Sequence, residues 1–233
     1  MAKKKSSSAK GSRELHVRVK TAKGRRISSK LWLERQLNDP YVLKAKKEGY
    51  RSRATFKLSE INEKYNLLKK DMHIIDLGCA PGGWLQYASA KIGIDKGKGM
   101  LIGIDLQEVE PVSGCTIIQG DFLEQEMMDK LKQHIPNGRV DMVMSDMAAS
   151  STGHKQTDHL KIVGLCEAAL WFARQVLNPE GIFLAKVLQG GTEREILNDL
   201  RKDFKVVRHV KPNASRKDSS EMFVLATGFR GEN

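Results

Sequence analysis

The 233-residue chain is 40% hydrophobic and 29% charged, the composition of one globular domain with a sizeable core. No apolar run approaches the roughly 20 residues that span a bilayer, and the basic N-terminus lacks the apolar stretch of a secretory signal. Cys79, Cys115 and Cys166 are widely spaced and form no CxxC pair, which argues against a disulfide framework or zinc site and for a reducing, cytoplasmic setting without metal or membrane. The net charge is +12, and residues 1–30 hold eleven Lys/Arg against Glu14 alone.

Residues 1–30, rich in Ser and Lys, are expected to be a disordered basic tail that either settles on phosphates or merely solubilises the chain. Residues 31–233 then form a single domain. Ser28 or Ser29 is a candidate cap for a helix through Leu37. Asp39-Pro40 can start a second helix that Gly49 ends. Phe56, Leu58, Ile61 and Tyr65 give helical spacing from Ala54 to Tyr65.

From residue 72 the pattern changes. "MHIIDLG", "GMLIGIDL", "CTIIQGDF", "VDMVMSDMA" and "GIFLAKVL" are short apolar runs separated by helical segments, the mark of a mostly parallel sheet with helices on both faces. "FKVVRHVKP" and "SEMFVLATGF" follow without a helix between them and are expected to pair as an antiparallel hairpin. A seven-stranded, mostly parallel α/β sheet closed by such a hairpin resembles the class I, Rossmann-like methyltransferase fold, which uses S-adenosylmethionine (SAM).

Ligands of open α/β sheets sit beyond the carboxyl ends of the strands. The first strand ends in "DLGCAPGGW", where Gly78, Gly82 and Gly83 let the backbone pass close to a ligand and Trp84 can wall it. The loop lacks the Lys-Ser/Thr of a triphosphate cradle and departs from the dinucleotide fingerprint. Asp76 suits an ammonium or ribose, Asp105 a ribose diol, and Asp121 an exocyclic adenine amine with Phe122 or a neighbour against the ring. Each acid alone is as consistent with a loop cap; the registered set of three favours SAM.

The fourth strand delivers Asp146 to the same edge. "SDMA" there is neither the Asn/Asp-Pro-Pro-aromatic motif of base N-methylation nor the Cys of C5 chemistry. Lys186 lies inside the apolar fifth strand. It either snorkels to solvent or belongs to the site, with an acid at the end of the neighbouring strand.

"RSRATFKL", "DLGCAPGGW", "SDMA", "AKVLQG" and "SSEMFVLATGF" together resemble the FtsJ-type ribose 2′-O-methyltransferases, over about residues 30–230. The likeness implies a Lys-Asp-Lys-Glu tetrad at Lys57, Asp146, Lys186 and Glu221, with Cys79 standing where the family usually has a small residue. It also implies SAM as cofactor, S-adenosylhomocysteine as product, and a uridine of 23S rRNA in the 50S subunit as substrate, with the protein acting as a monomer. Residues 31–70 would then be a helical segment facing RNA. Lys44, Lys46, Lys47, Arg51 and Arg53 before Lys57, and Arg208, Lys211, Arg216 and Lys217 around the hairpin, are phosphate-contact candidates or ordinary solvated charges.

A ribose hydroxyl is a poor nucleophile, so the chemistry needs alignment and a proton acceptor. Lys186 is the candidate acceptor, Asp146 its positioner, and Lys57 and Glu221 steer the hydroxyl. A small-molecule methyltransferase would share the cofactor edge but not the basic tail. A nicotinamide reductase would favour the dinucleotide fingerprint, and a non-catalytic RNA binder would have no reason to keep both the loop and the four polar residues.

Overall fold

The computed structural model describes residues 27–150, 152–189 and 193–231. The elements run α1 (Ile27–Leu37), α2 (Pro40–Glu48), α3 (Thr55–Tyr65), β1 (His73–Leu77), α4 (Gly83–Ile92), β2 (Met100–Asp105), β3 (Thr116–Gln119) and α5 (Gln125–Gln133). They continue as β4 (Val140–Ser145), α6 (Lys155–Val176), β5 (Leu177–Leu188), α7 (Glu193–Asp203), β6 (Phe204–Val210) and β7 (Glu221–Phe229).

Local chemistry explains several boundaries. The Asp39 side chain accepts from the Tyr41 amide at 3.0 Å, and Pro40 takes the first turn of α2, where its missing N–H costs nothing. Gly49, at φ 77°, closes the same helix in the left-handed conformation.

Three expectations need correction. Helix α1 already begins at Ile27, so Ser28 and Ser29 lie in its first turn rather than before it, and residues 27–30 do not belong to the tail. Residues 1–26, the rest of the tail, lie outside the described residues. Strand β5 starts at Leu177, four residues before the apolar run, because Leu177 pairs with Val140 ahead of a register shift. Helix α7 was not anticipated. Its few apolar residues include Ile196 and Leu200, which pack into the core, and the rest of the segment is largely polar.

The seven strands form one sheet in the order β3-β2-β1-β4-β5-β7-β6. Strands β1 to β5 pair in parallel, and β7 is antiparallel to both β5 and β6. The expected hairpin forms, with β7 inserted between β5 and β6. Strand order reverses at β1 and β4, which opens the crevice that ligands use in such sheets.

Side chains alternate between the two faces of the sheet. Ile75, Leu77, Val143, Phe183, Ala185 and Val224 pack under α5, α6 and α7. Ile74, Met142, Met144, Leu184, Phe223 and Leu225 pack under α3 and α4. Burying each such aliphatic or aromatic side chain contributes roughly 1.5–3 kcal/mol. Asp146 continues the parity of Met144, Lys186 that of Leu184, and Glu221 that of Phe223. All three therefore belong to the α3/α4 face, at the carboxyl edge of the parallel strands.

Candidate active site

Helix α3 lies over that face, and its inner side carries Lys57 beside Leu58 and Ile61, all three buried. Lys57 Nζ lies 2.8 Å from Glu221 Oε1 and 3.4 Å from Asp146 Oδ2. Lys186 Nζ lies 2.8 Å from Asp146 Oδ1 and 3.9 Å from Glu221 Oε2. Each lysine thus touches both carboxylates, and the four residues close into a ring of alternating charge. Lys186 also donates to the backbone carbonyl of Asp146 at 2.8 Å. The side chains keep only 9% to 17% of their exposure, so the ring is mostly buried but still reaches solvent.

Burial works against the Lys57 ammonium, but the Asp146 and Glu221 carboxylates outweigh it and raise its pKa above the ordinary lysine value. Burial likewise opposes the Asp146 carboxylate, and Lys186 and then Lys57 overcome it, lowering its pKa below the usual range. Both groups are therefore charged at neutral pH. The Phe223 ring supports the ring from below: its centroid lies 5.7 Å from Lys57 Nζ, and Phe223 is the cross-strand neighbour of Lys186.

A cleft of about 580 Å³ opens beyond β1 to β4, within the range usual for small-molecule sites, roughly 300–1,000 Å³. Gly78, Asp105, Leu106, Asp121, Phe122, Leu123 and Met147 line it, and Lys161, Gly164 and Leu165 of α6 form a wall. Gly78 has φ 77°, and a Cβ there would come within 2.8 Å of Met147. Asp105 accepts from the Ala80 and Gln107 amides, each at 2.9 Å, so it also fastens the glycine-rich loop. Asp121 accepts from the Leu123 amide at 2.9 Å.

Asp76 differs from these acids. It is fully buried, and neither carboxylate oxygen has a hydrogen-bond partner. Burial first, then the nearby Asp146 and Asp105, raise its pKa well above the usual carboxylate range. Left unpaired, such a carboxyl is held neutral; a cation brought against it would favour the charged form.

Several expected ligand contacts turn inward. A Cβ on Gly82 would meet the Arg51 guanidinium at 2.6 Å, and one on Gly83 would meet Thr55 Oγ1 at 2.4 Å. The Cβ side of those glycines faces residues 51–55, and neither glycine lines the cleft. Trp84 is buried, donates from Nε1 to the Ala54 carbonyl at 2.8 Å, and packs on Phe223 with ring centroids 5.7 Å apart. It joins the loop to the elements that carry the tetrad and does not line the cleft. Phe122 reaches the cleft, but its ring is 4% exposed and packs edge-on against Phe172. The exposed apolar side chains beside the strand-end acids are Leu106 and Leu123. Their signal in the sequence was a leucine placed just after a strand-end acid. Lys161 and the α6 wall had no comparable signal.

The basic residues divide in two. Arg51 donates to the carbonyls of Glu110 (2.6 Å), Pro111 (2.8 Å) and Pro81 (3.3 Å), clamping the glycine-rich loop. Arg53 pairs with Asp39 at 2.9 Å and donates to the Ala214 carbonyl at 2.6 Å. Arg216 leans on the same Asp39 at 3.8 Å. These three, expected as phosphate contacts, are committed within the protein because each has a buried or loop acceptor at hand. Lys44, Lys46, Lys47, Arg208, Lys211 and Lys217 are exposed; Lys44 lies over the Phe56 ring and Lys211 donates to the Ser219 carbonyl at 2.8 Å. Burial pushes the Cys115 and Cys166 thiols up to about 12 and Cys79 higher still, so none of them is a nucleophile at neutral pH. Among the described residues no His/Cys/Asp/Glu group could hold a metal ion, and no helix is long and apolar enough to cross a membrane.

Residues 50–229 match the family model described as FtsJ-like methyltransferase. The chain is 60% identical over 220 residues to a ribosomal RNA large subunit methyltransferase E of Xanthobacter autotrophicus, covering 94% of this chain and 86% of that one. It is 56% identical over 232 residues to the protein of the same name from Cereibacter sphaeroides, covering 97% and 95%. Among solved structures, a ribosomal RNA methyltransferase of Plasmodium falciparum superposes with a TM-score of 0.71 at 31% identity, over 78% of this chain and all of that one. With its seven-stranded sheet, strand-end cleft and buried Lys-Asp-Lys-Glu ring, the chain belongs to the FtsJ-like methyltransferase family.

Proposed function

We propose that this protein transfers a methyl group from SAM to the ribose 2′-OH of a uridine in 23S rRNA, on the assembled 50S subunit in the cytoplasm. The observation that carries the reading is the closed ring of Lys57, Asp146, Lys186 and Glu221 at the edge of a strand-end cleft. The names of the relatives at 56–60% identity support the rRNA substrate.

The cleft residues fit SAM. Asp105 suits its ribose and Asp121 its adenine amine, with Leu106 and Leu123 available to flank the ring. Asp76, fully buried and not part of the lining, is the partnerless carboxylate left for the amine. Bound SAM supplies a methyl group already activated by its sulfonium. The protein must then align and deprotonate the hydroxyl. Alignment contributes on the order of 7–11 kcal/mol, and a positioned base roughly 10²–10⁴-fold.

Lys57 stays protonated between its two carboxylates, so it is a fixed cation that steers the hydroxyl rather than the base. Lys186 is the candidate that holds the 2′-oxygen. It must enter the step as the free amine, its own proton given to solvent, and it then takes the hydroxyl proton as the methyl–sulfur bond breaks and the methyl–oxygen bond forms. Asp146, gripping Lys186 through both side chain and carbonyl, sets its direction. Lys44, Lys46, Lys47, Arg208, Lys211 and Lys217 supply the phosphate contacts.

The test is transfer of tritiated methyl from SAM to undermodified 50S particles, with free 23S rRNA alongside, and mapping of the labelled sugar. Label on a uridine 2′-oxygen of the particle is the expected result. No transfer to either substrate, or label on a base, would overturn the proposal.

A further inference from the structure

Ala214, in the connection between β6 and β7, is held at both of its peptide groups by side chains of opposite charge. Its N–H donates to Glu60 Oε2 at 3.1 Å, and its carbonyl accepts from Arg53 Nη2 at 2.6 Å. The residue is fully buried and packs with Ala45 and Phe56. Arg53, Lys57 and Glu60 follow one another at helical spacing. The stretch that presents the tetrad lysine therefore also presents the clamp.

The next residue, Ser215, is 3% exposed. Its Oγ donates to Glu221 Oε1 at 2.9 Å. That oxygen also lies 2.8 Å from Lys57 Nζ. One carboxylate oxygen thus accepts from a serine of a clamped loop and lies in ion-pair contact with Lys57, which donates to the other oxygen at 2.9 Å. A glutamate at the first residue of a strand has three side-chain torsions to settle. The Ser215 hydroxyl removes that freedom, since the backbone that carries it is anchored on the segment bearing Lys57.

We infer that Ser215 is a positioning residue for methyl transfer: its hydroxyl, anchored through the Arg53–Ala214–Glu60 clamp, fixes the Glu221 carboxylate in the orientation that holds Lys57 and Lys186. The inference rests on the reading of the ring as the catalytic centre. Ser215 acts through Glu221 and lines no part of the cofactor cleft.

The experiment is a double-mutant cycle of Ser215→Ala and Glu221→Ala, read in two ways. In single-turnover methyl transfer, Ser215→Ala alone should lower kcat about tenfold or more, the loss expected for a hydrogen bond to a charged group, with KM for SAM unchanged. In the Glu221→Ala background the same substitution should change kcat by less than about twofold. The second reading needs no turnover: denaturant midpoints of the four proteins should be non-additive, which keeps this inference testable even if no substrate is methylated. Glu60→Ala, which removes the acceptor of the Ala214 amide, should repeat the pattern with a smaller loss and carries the cycle if Ser215→Ala does not fold. Equal fold losses in both Glu221 backgrounds, additive midpoints, or a wild-type kcat for Ser215→Ala would overturn the inference.

Discussion

Lys186 is bound twice to Asp146: its Nζ lies 2.8 Å from the carboxylate Oδ1 and donates at 2.8 Å to the same residue's backbone carbonyl. The carbonyl belongs to the peptide that leaves β4, so the lysine of β5 is referenced to the backbone of its neighbour as well as to a side chain. Lys186→Ala should lower kcat by about 10²–10⁴-fold while leaving SAM affinity within a few-fold of wild type. Single-turnover transfer and calorimetry measure the two quantities. A near wild-type rate would remove Lys186 from the mechanism.

The pH dependence of stability has a definite sign. The Lys57 pKa is raised in the folded protein, so its contribution is complete below the unfolded value, about 10.4, and is lost as pH rises through the folded value. The Asp146 pKa is lowered, so its contribution is complete above the unfolded value, about 3.9, and is lost as pH falls through the folded value. Lys57→Met should therefore destabilise most between these limits, by about 3–5 kcal/mol if Asp146 and Glu221 are left underpaired. Its deficit should shrink towards pH 11. Urea unfolding of both proteins from pH 4 to pH 11 measures it, and a deficit that grows with alkalinity would contradict the assignment.

Asp76 carries the opposite sign. Its raised pKa means that the folded protein holds a proton which the unfolded chain releases above about 3.8, so this group weakens stability progressively as pH rises towards the folded value. Asp76→Asn should raise the Tm of the ligand-free protein at pH 7, by about 2–4 °C for each kcal/mol relieved in a chain of this size. The same change should weaken SAM binding at least tenfold, since the amine loses its carboxylate. Thermal melts and calorimetry test the pair of effects. A variant that is both less stable and equally tight for SAM would show that Asp76 has no cation to meet.

Arg51 and Lys47 should separate cleanly, although both are basic and close in the chain. Arg51 fastens Pro81, Glu110 and Pro111, so Arg51→Ala should weaken SAM binding and leave the salt dependence of RNA binding unchanged. Lys47 is exposed, so Lys47→Ala should reduce the slope of log K against log salt by about 0.7–1 and leave SAM binding alone. Filter binding over a salt series, beside SAM titration, distinguishes them. The reverse pattern would exchange their roles.

Much of this protein was legible along the chain because its signals are local. Apolar runs, helical periods and capping residues marked the seven strands and six of the seven α-helices among the described residues, with caps marking both ends of α2. Helix α7 escaped because its apolar positions are few and its charge is dense, so only packing against the sheet reveals its inner face. The parity of residues 144, 184 and 223 was also present in the sequence, and it is the reason Asp146, Lys186 and Glu221 share one face.

Tertiary structure alone decided which of the basic side chains are tied to distant backbone and acid groups. Arg51, Arg53 and Arg216 look like Lys44 and Lys47 in sequence. Whether a guanidinium meets solvent or an acceptor depends on partners 14 to 177 residues away. The same holds for the glycine-rich loop. Its composition identified a close backbone approach, while the fold determined that Gly82 and Gly83 approach residues 51–55 and that Gly78 alone of the three lines the cleft. Periodicity depends on neighbours a few residues apart and can be read from one chain. Hydrogen-bond partners are set by segments that only the folded sheet brings together.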